Sequence, residues 1–216
     1  MNLMPLDRKW QAGPGVTVGI WRIEEPEGWF TDRLGLYQGE REVLQGLKGE
    51  RRREWLAARM LAGQLTGGSE RLPCLNDDTG KPYFQGSSLE VSLSHSNGLV
   101  AAMISSGQRI GVDIQSIQNR MEQIAPRFMN EEELGGIDEN HRIDHIHVYW
   151  GAKECLYKAD SCRRLDLRQH IRIDSFPFRE GGGGFAGSVL RNGTCRHFLL
   201  KYEKIASHML VYAIED

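Results

Sequence analysis

"SLEVSLSHSNGLVAAMIS", residues 88–105, decides the fold class. Leu89, Val91 and Leu93 alternate with polar residues, the pattern of a strand with one buried face. Asn97-Gly98 supplies a two-residue turn, because both residue types accept positive φ. "LVAAMI" then returns as a buried strand. The stretch reads as an antiparallel hairpin, and its flanks say what covers the apolar face.

Upstream, "GEREVLQGLKGERRREWLAARMLAGQL" (39–65) reads as mostly helical, with Trp55, Leu56, Met60 and Leu61 repeating near 3.6. "VTVGIWRI" (16–23) reads as a strand, and "LPCLNDDTGKPYF" (72–84) as a turn-rich passage bent at Asp78-Thr79-Gly80. Downstream, "RIGVDIQ" (109–115) is a strand with Ile110, Val112 and Ile114 on one face and Gly111, Asp113 and Gln115 on the other. Two helical stretches follow. "RMEQIAPRFMNEEELGGI" is interrupted at Pro126 and restarts at Asn130, and "RIDHIHVYWGAKECLYKAD" follows it. "IRIDSFPF", "FAGSVL", "CRHFLLKYE" and "HMLVYAIE" are strand-like. "EGGGGFAG" reads as a flexible hairpin end, since no strand–helix phosphate signature surrounds it. The expected fold is α+β, a pseudo-dimer of two similar α+β lobes, each a helix packed on a small antiparallel sheet. The break falls near Ser105-Ser106-Gly107, giving lobes 1–106 and 107–216, with no residue-level repeat between them.

The 216 residues are 40% hydrophobic, enough for one sizeable core or two small ones. Lys+Arg 27 against Asp+Glu 29 gives a net charge of -2, which argues against a global nucleic-acid or membrane-binding field. No apolar h-region opens the chain and no run reaches spanning length, so a cytoplasmic protein with no membrane partner is expected. Cys74, Cys155, Cys162 and Cys195 form no CxxC pair and read as thiols.

Asp113 stands inside an otherwise apolar run, where a carboxylate is costly unless paired or metal-bound. Gly111 beside it leaves room for a ligand to approach the backbone. In "WGAKECLYK" (150–158), Trp150, Glu154 and Lys158 fall four apart on one helix face. Alone, such a Glu–Lys pair is ordinarily a solvated ion pair. Asp113 and Glu154 together offer two hard oxygen ligands, with Gln115 adding an amide oxygen, a set that suits Mg²⁺. Lys81 on its turn, "SLSHS" at a strand end and the run of Lys48, Arg51, Arg52, Arg53 and Arg59 are candidate phosphate contacts, although turn capping and a solvated basic face are the commoner uses of such residues. His141, His145 and His147 read as a loop entering a helix.

"GKPYF", "VSLSHS", "IGVDIQ", "RFMNEEEL" and "WGAKECLYK" occur in succession over roughly residues 40–160. In that order they resemble the 4'-phosphopantetheinyl transferase superfamily, in its two-lobed Sfp type. The resemblance implies coenzyme A as co-substrate and Mg²⁺ in a cleft between the lobes, with a serine of an acyl or peptidyl carrier protein as acceptor. The pathway would be fatty-acid, polyketide or nonribosomal peptide synthesis, the protein a monomer. It further implies Asp113 and Glu154 as metal ligands, Lys158 as the catalytic lysine, and Lys81, Ser94 and His95 as coenzyme A contacts. Arg53 and Arg59 correspond more loosely to a basic helix at the nucleotide phosphates, and Glu133 to a supporting acid. One departure stands out: the family often has an acid two residues after the aspartate, and here Gln115 takes that place. The alternative activity is a degenerate transferase that binds coenzyme A or a carrier protein without turnover. A nucleic-acid module built on "ERRRE" lacks any base-reading motif.

Overall fold

The computed structural model describes residues 6–160 and 165–216. Cys162 lies outside the described residues. The chain divides into two compact units, Met1–Gly107 and Gln108–Asp216.

In the first unit, strands β1 (Leu6–Gly13), β2 (Val16–Arg22), β5 (Glu90–Ser96) and β6 (Leu99–Ser105) form an antiparallel sheet in the order β1-β2-β6-β5. The hairpin of residues 88–105 is its β5–β6 pair. Asn97 and Gly98 take φ of 45° and 81°, the doubly left-handed turn that matches strand twist. β1 carries the polar run "LDRKWQAG" on the sheet edge, so hydrophobic alternation does not reveal it. Helices α1 (Glu27–Leu34), α2 (Gln38–Gly46) and α3 (Glu50–Thr66) follow β2, and a two-stranded ribbon, β3 (Cys74–Asn76) with β4 (Pro82–Phe84), precedes the hairpin. The helical stretch read as 39–65 is two helices, parted at Leu47, Lys48 and Gly49, where Gly49 has φ +56°. α3 covers the sheet, with Leu56, Leu61 and Leu65 packed among Trp21, Phe30, Val91 and Val100. Gly19 of β2 admits the Leu61 and Leu65 side chains, which a Cβ would meet at 3.0 and 2.9 Å.

The second unit repeats the plan. β7 (Ile110–Ser116), β8 (Ile171–Ile173), β9 (Gly183–Arg191), β10 (Thr194–Ile205) and β11 (His208–Glu215) form an antiparallel sheet ordered β7-β11-β10-β9-β8. Helices α4 (Met121–Phe128), α5 (Glu131–Gly135) and α6 (Arg142–Asp160) lie between β7 and β8. α4 runs through Pro126, which sits in its last turn. The restart at Asn130 is a capping box: Asn130 Oδ1 accepts from the Glu133 N–H, and Glu133 Oε2 accepts from the Asn130 N–H. The architecture is thus α+β, with one long helix on an antiparallel sheet in each unit.

One local expectation changes. The glycine run after Glu180 is not wholly a loop end, because Gly183 and Gly184 already belong to β9. A Cβ on Gly183 would stand 3.1 Å from the Tyr202 ring, so the small residues let that ring lie against the strand. The polar face of β7 is not a surface: Gly111 and Asp113 are buried under α6. No helix among the described residues is long and apolar enough to cross a membrane.

Candidate active site

The site is made by an unusually close approach of a strand and a helix. A Cβ on Gly111 would lie 2.0 Å from the Cys155 backbone oxygen, so only glycine lets β7 meet α6 there. The space expected for a ligand is filled by the helix backbone. From the helix side, a Cβ on Gly151 would meet Val211 Cγ2 at 2.6 Å. These two glycines bring the stripe of His147, Gly151, Glu154 and Lys158 onto the polar face of β7.

Lys158 Nζ donates to Asp113 Oδ1 at 2.8 Å and to the Val112 carbonyl at 2.9 Å. Burial works against its charge, but the charge and hydrogen bond of Asp113, together with Cys155 and Glu154, more than offset this and the Lys158 pKa rises. Glu154 stands one turn earlier on α6. Burial pushes its carboxyl pKa up, Lys158 opposes this, and the negative charge of Asp113 adds to the rise. Two acids and one ammonium therefore share a poorly solvated spot that is short of positive charge.

Asp113 and Glu154 are the residues that could hold a divalent cation. Among the described residues no cluster of three or more His, Cys, Asp or Glu side chains is placed to bind a metal. Two carboxylates without thiolates or imidazoles suit Mg²⁺, which keeps waters and takes substrate oxygens for the rest of its shell. Gln115 also comes to this spot, but with its nitrogen: Nε2 lies 3.3 Å from Asp113 Oδ2 and 3.1 Å from the His147 carbonyl. Its oxygen, expected to face a metal, is 3.0 Å from His147 Nδ1. His147, read from the sequence only as part of a loop entering a helix, lies with His145 inside α6 and is a residue of this spot. Its signal was its place one turn before Gly151, on the same helix stripe as Glu154 and Lys158.

The nearby residues of the same motifs are structural. Lys153 is fully buried and pairs with Glu133 Oε1 at 2.8 Å, while also donating to the Leu167 and Ile171 carbonyls. Glu133 Oε1 accepts as well from the Ile173 N–H, so this acid ties α5 to β8 and α6. Trp150 packs edge-on against Phe128 of α4 at 4.9 Å between ring centres. The Cys155 thiol donates to the Val211 carbonyl, and burial raises its pKa well above the ordinary value, so it is no nucleophile.

The remaining candidates lie in the first unit. Lys81 ends a tight turn built on Asp77, whose Oδ1 accepts from the Thr79 and Lys81 N–H groups, and its ammonium meets Glu90 Oε2 at 2.7 Å. His95 Nδ1 lies 2.9 Å from Glu54 Oε2 of α3. Ser94 and His95 are consecutive strand residues and so point to opposite faces of β5. Ser94 is buried and His95 exposed. Arg53 pairs with Glu50 at 2.5 Å. Arg59 is buried, stacked 4.1 Å over the Trp55 ring and donating to Asn76 Oδ1. The basic run is therefore not one solvated face. Arg52 is engaged too, by Glu27 and by the carbonyls of Leu44 and Leu47 that end α2.

Residues 109–213 match the family model described as the 4'-phosphopantetheinyl transferase superfamily. The match covers β7 through α6 and on to β11, and so includes Asp113, Gln115, Glu154 and Lys158. No curated protein matches the chain.

Proposed function

We propose, on the premise that residues 109–213 are a domain of the 4'-phosphopantetheinyl transferase superfamily, that this chain is a holo-carrier-protein synthase. It moves 4'-phosphopantetheine from coenzyme A to a serine of an acyl or peptidyl carrier protein and releases 3',5'-ADP. The observation that carries this reading is the juxtaposition of Asp113, Glu154 and Lys158 on the β7–α6 contact.

In the reaction the serine oxygen bonds to the β-phosphorus of coenzyme A, and the bond from that phosphorus to the bridging oxygen breaks. Negative charge gathers on the leaving phosphate, so the site needs positioned cations more than covalent chemistry. Mg²⁺ held by Asp113 and Glu154 would supply charge neutralisation at the pyrophosphate. Glu154 is also proposed to take the serine proton. Lys158 keeps its charge and donates toward the leaving phosphate oxygen, a contact it now makes with Asp113. Lys81, Ser94 and His95 are proposed as coenzyme A contacts, and Arg53 and Arg59 as looser ones.

Intact-mass analysis of apo carrier proteins incubated with the chain, coenzyme A and Mg²⁺ tests the reading. A gain of one phosphopantetheine is expected. Coenzyme A binding with no gain on any carrier would favour a binding protein without turnover, the reading to which Gln115 lends its only support.

A further inference from the structure

Gln115 and His147 grip each other at two points. The Gln115 amide places one end 3.1 Å from the His147 carbonyl and 3.3 Å from Asp113 Oδ2. A carbonyl and a carboxylate both only accept, so that end is the NH₂ group, and each of its hydrogens has one acceptor. The other end is therefore the oxygen, and it faces His147 Nδ1 at 3.0 Å. Nδ1 must then carry the ring proton. His147 Nε2 is left as an acceptor, and it meets the Gln118 N–H at 2.9 Å. The Gln118 carbonyl is also 3.2 Å from Nε2, a contact that would need a charged ring. Burial lowers the His147 pKa, which disfavours that charged form.

We infer that His147 is a positioning residue for Asp113: it fixes the Gln115 amide so that the nitrogen, not the oxygen, faces the carboxylate. Asp113 is then held from both sides, with Oδ2 accepting from Gln115 and Oδ1 from Lys158. Position 115 acts on the aspartate instead of on a metal ion. Gln115→Glu consequently does not simply add a ligand. One of its oxygens would face the His147 carbonyl and the Asp113 carboxylate, where the amide now donates. The part of this inference that concerns Mg²⁺ rests on the reading of Asp113 given above; the hydrogen-bond chain does not.

Two substitutions separate positioning from mere packing. His147→Asn puts an amide nitrogen near the place of Nδ1 and gives up the Gln118 contact. His147→Gln reaches the place of Nε2 and gives up the donor to Gln115. Calorimetry with MgCl₂ in the presence of coenzyme A should find Mg²⁺ affinity near wild type for His147→Asn. It should be about 10–100-fold weaker for His147→Gln, the usual size of such outer-shell losses. Nitrogen NMR of the wild-type imidazole should show the Nδ1–H form, and the Gln115 amide protons should move in His147→Gln but not in His147→Asn. An Nε2–H ring, or an Asn variant as impaired as the Gln variant, overturns the inference. If wild type takes up no Mg²⁺ and modifies no carrier, the proposed function fails, while the ring tautomer and the amide protons still decide the role of His147.

Discussion

Lys158 Nζ and Asp113 Oδ1 stand 2.8 Å apart, joining the last turns of α6 to the middle of β7. The i,i+4 partner of Lys158 on its own helix, Glu154, is coupled to it only through space. The lysine's ammonium donates to the strand, at Asp113 and at the Val112 carbonyl. Glu154→Ala and Glu154→Gln should each lower phosphopantetheine transfer by about 100-fold or more, the scale for losing a group that stabilises reaction charge. Neither should cost much stability, since each relieves the repulsion between buried Asp113 and half-buried Glu154. Lys158→Ala should lower turnover while Mg²⁺ binding persists. Carrier mass, calorimetry and thermal unfolding report the three quantities. Wild-type transfer by Glu154→Gln would remove Glu154 as ligand and base.

The two lysines of "WGAKECLYK" should part company. Lys153→Met leaves Glu133 buried with only backbone donors, and breaking such a pair costs about 3–5 kcal/mol. Urea unfolding should show that loss, while transfer per folded molecule stays near wild type. A fully stable Lys153→Met with lost turnover would reverse the assignment.

Gly111→Ala should be among the most damaging small changes available. Its methyl group would collide with backbone of α6, which has no side-chain rotamer to yield. The expected cost is about 3 kcal/mol or more, at the upper end of overpacking, with transfer lost as Glu154 and Lys158 are pushed from Asp113. Circular dichroism and urea denaturation of the variant check this, and an unaltered midpoint would contradict the packing argument.

His145 gives the fold a pH dependence. It is fully buried among Tyr149, Phe176 and Phe178, its Nδ1 accepts from the Asp138 N–H, and burial lowers its pKa to about 4. The unfolded chain binds this proton near pH 6.5 and the folded chain resists it. Stability from this group is therefore fully present above about pH 6.5 and is lost as pH falls toward 4, by about 3 kcal/mol in all. Urea unfolding between pH 7 and 4 should show a shallower fall for His145→Asn than for wild type. Equal slopes would mean that His145 is already protonated in the fold.

Lys81→Ala and His95→Ala should weaken coenzyme A binding by roughly 1.5–3 kcal/mol each, the worth of one charge-assisted contact. Both side chains now meet carboxylates, Glu90 and Glu54, which a phosphate would have to displace. Titration calorimetry with coenzyme A reads the loss, and unchanged affinity in both variants removes them from the site.

Periodicity along the chain was enough to show two rounds of helix on antiparallel sheet, because alternation and 3.6-residue repeats are local signals. It also showed the Asn97-Gly98 turn and the restart at Asn130, where one or two residues carry the conformation. The polar edge strand β1 was not legible, since its ladder depends on β2 and not on its own pattern. The order of "GVDIQ" and "WGAKECLYK" pointed to Asp113, Glu154 and Lys158. Only the tertiary structure decided what each group touches there. Spacing cannot say that Gly111 serves the approach of α6, that Lys153 is spent on Glu133, or that a histidine one turn before Gly151 turns the Gln115 amide around. Those outcomes depend on which atoms of distant segments meet, and on each buried donor finding an acceptor, which no single stretch of sequence contains.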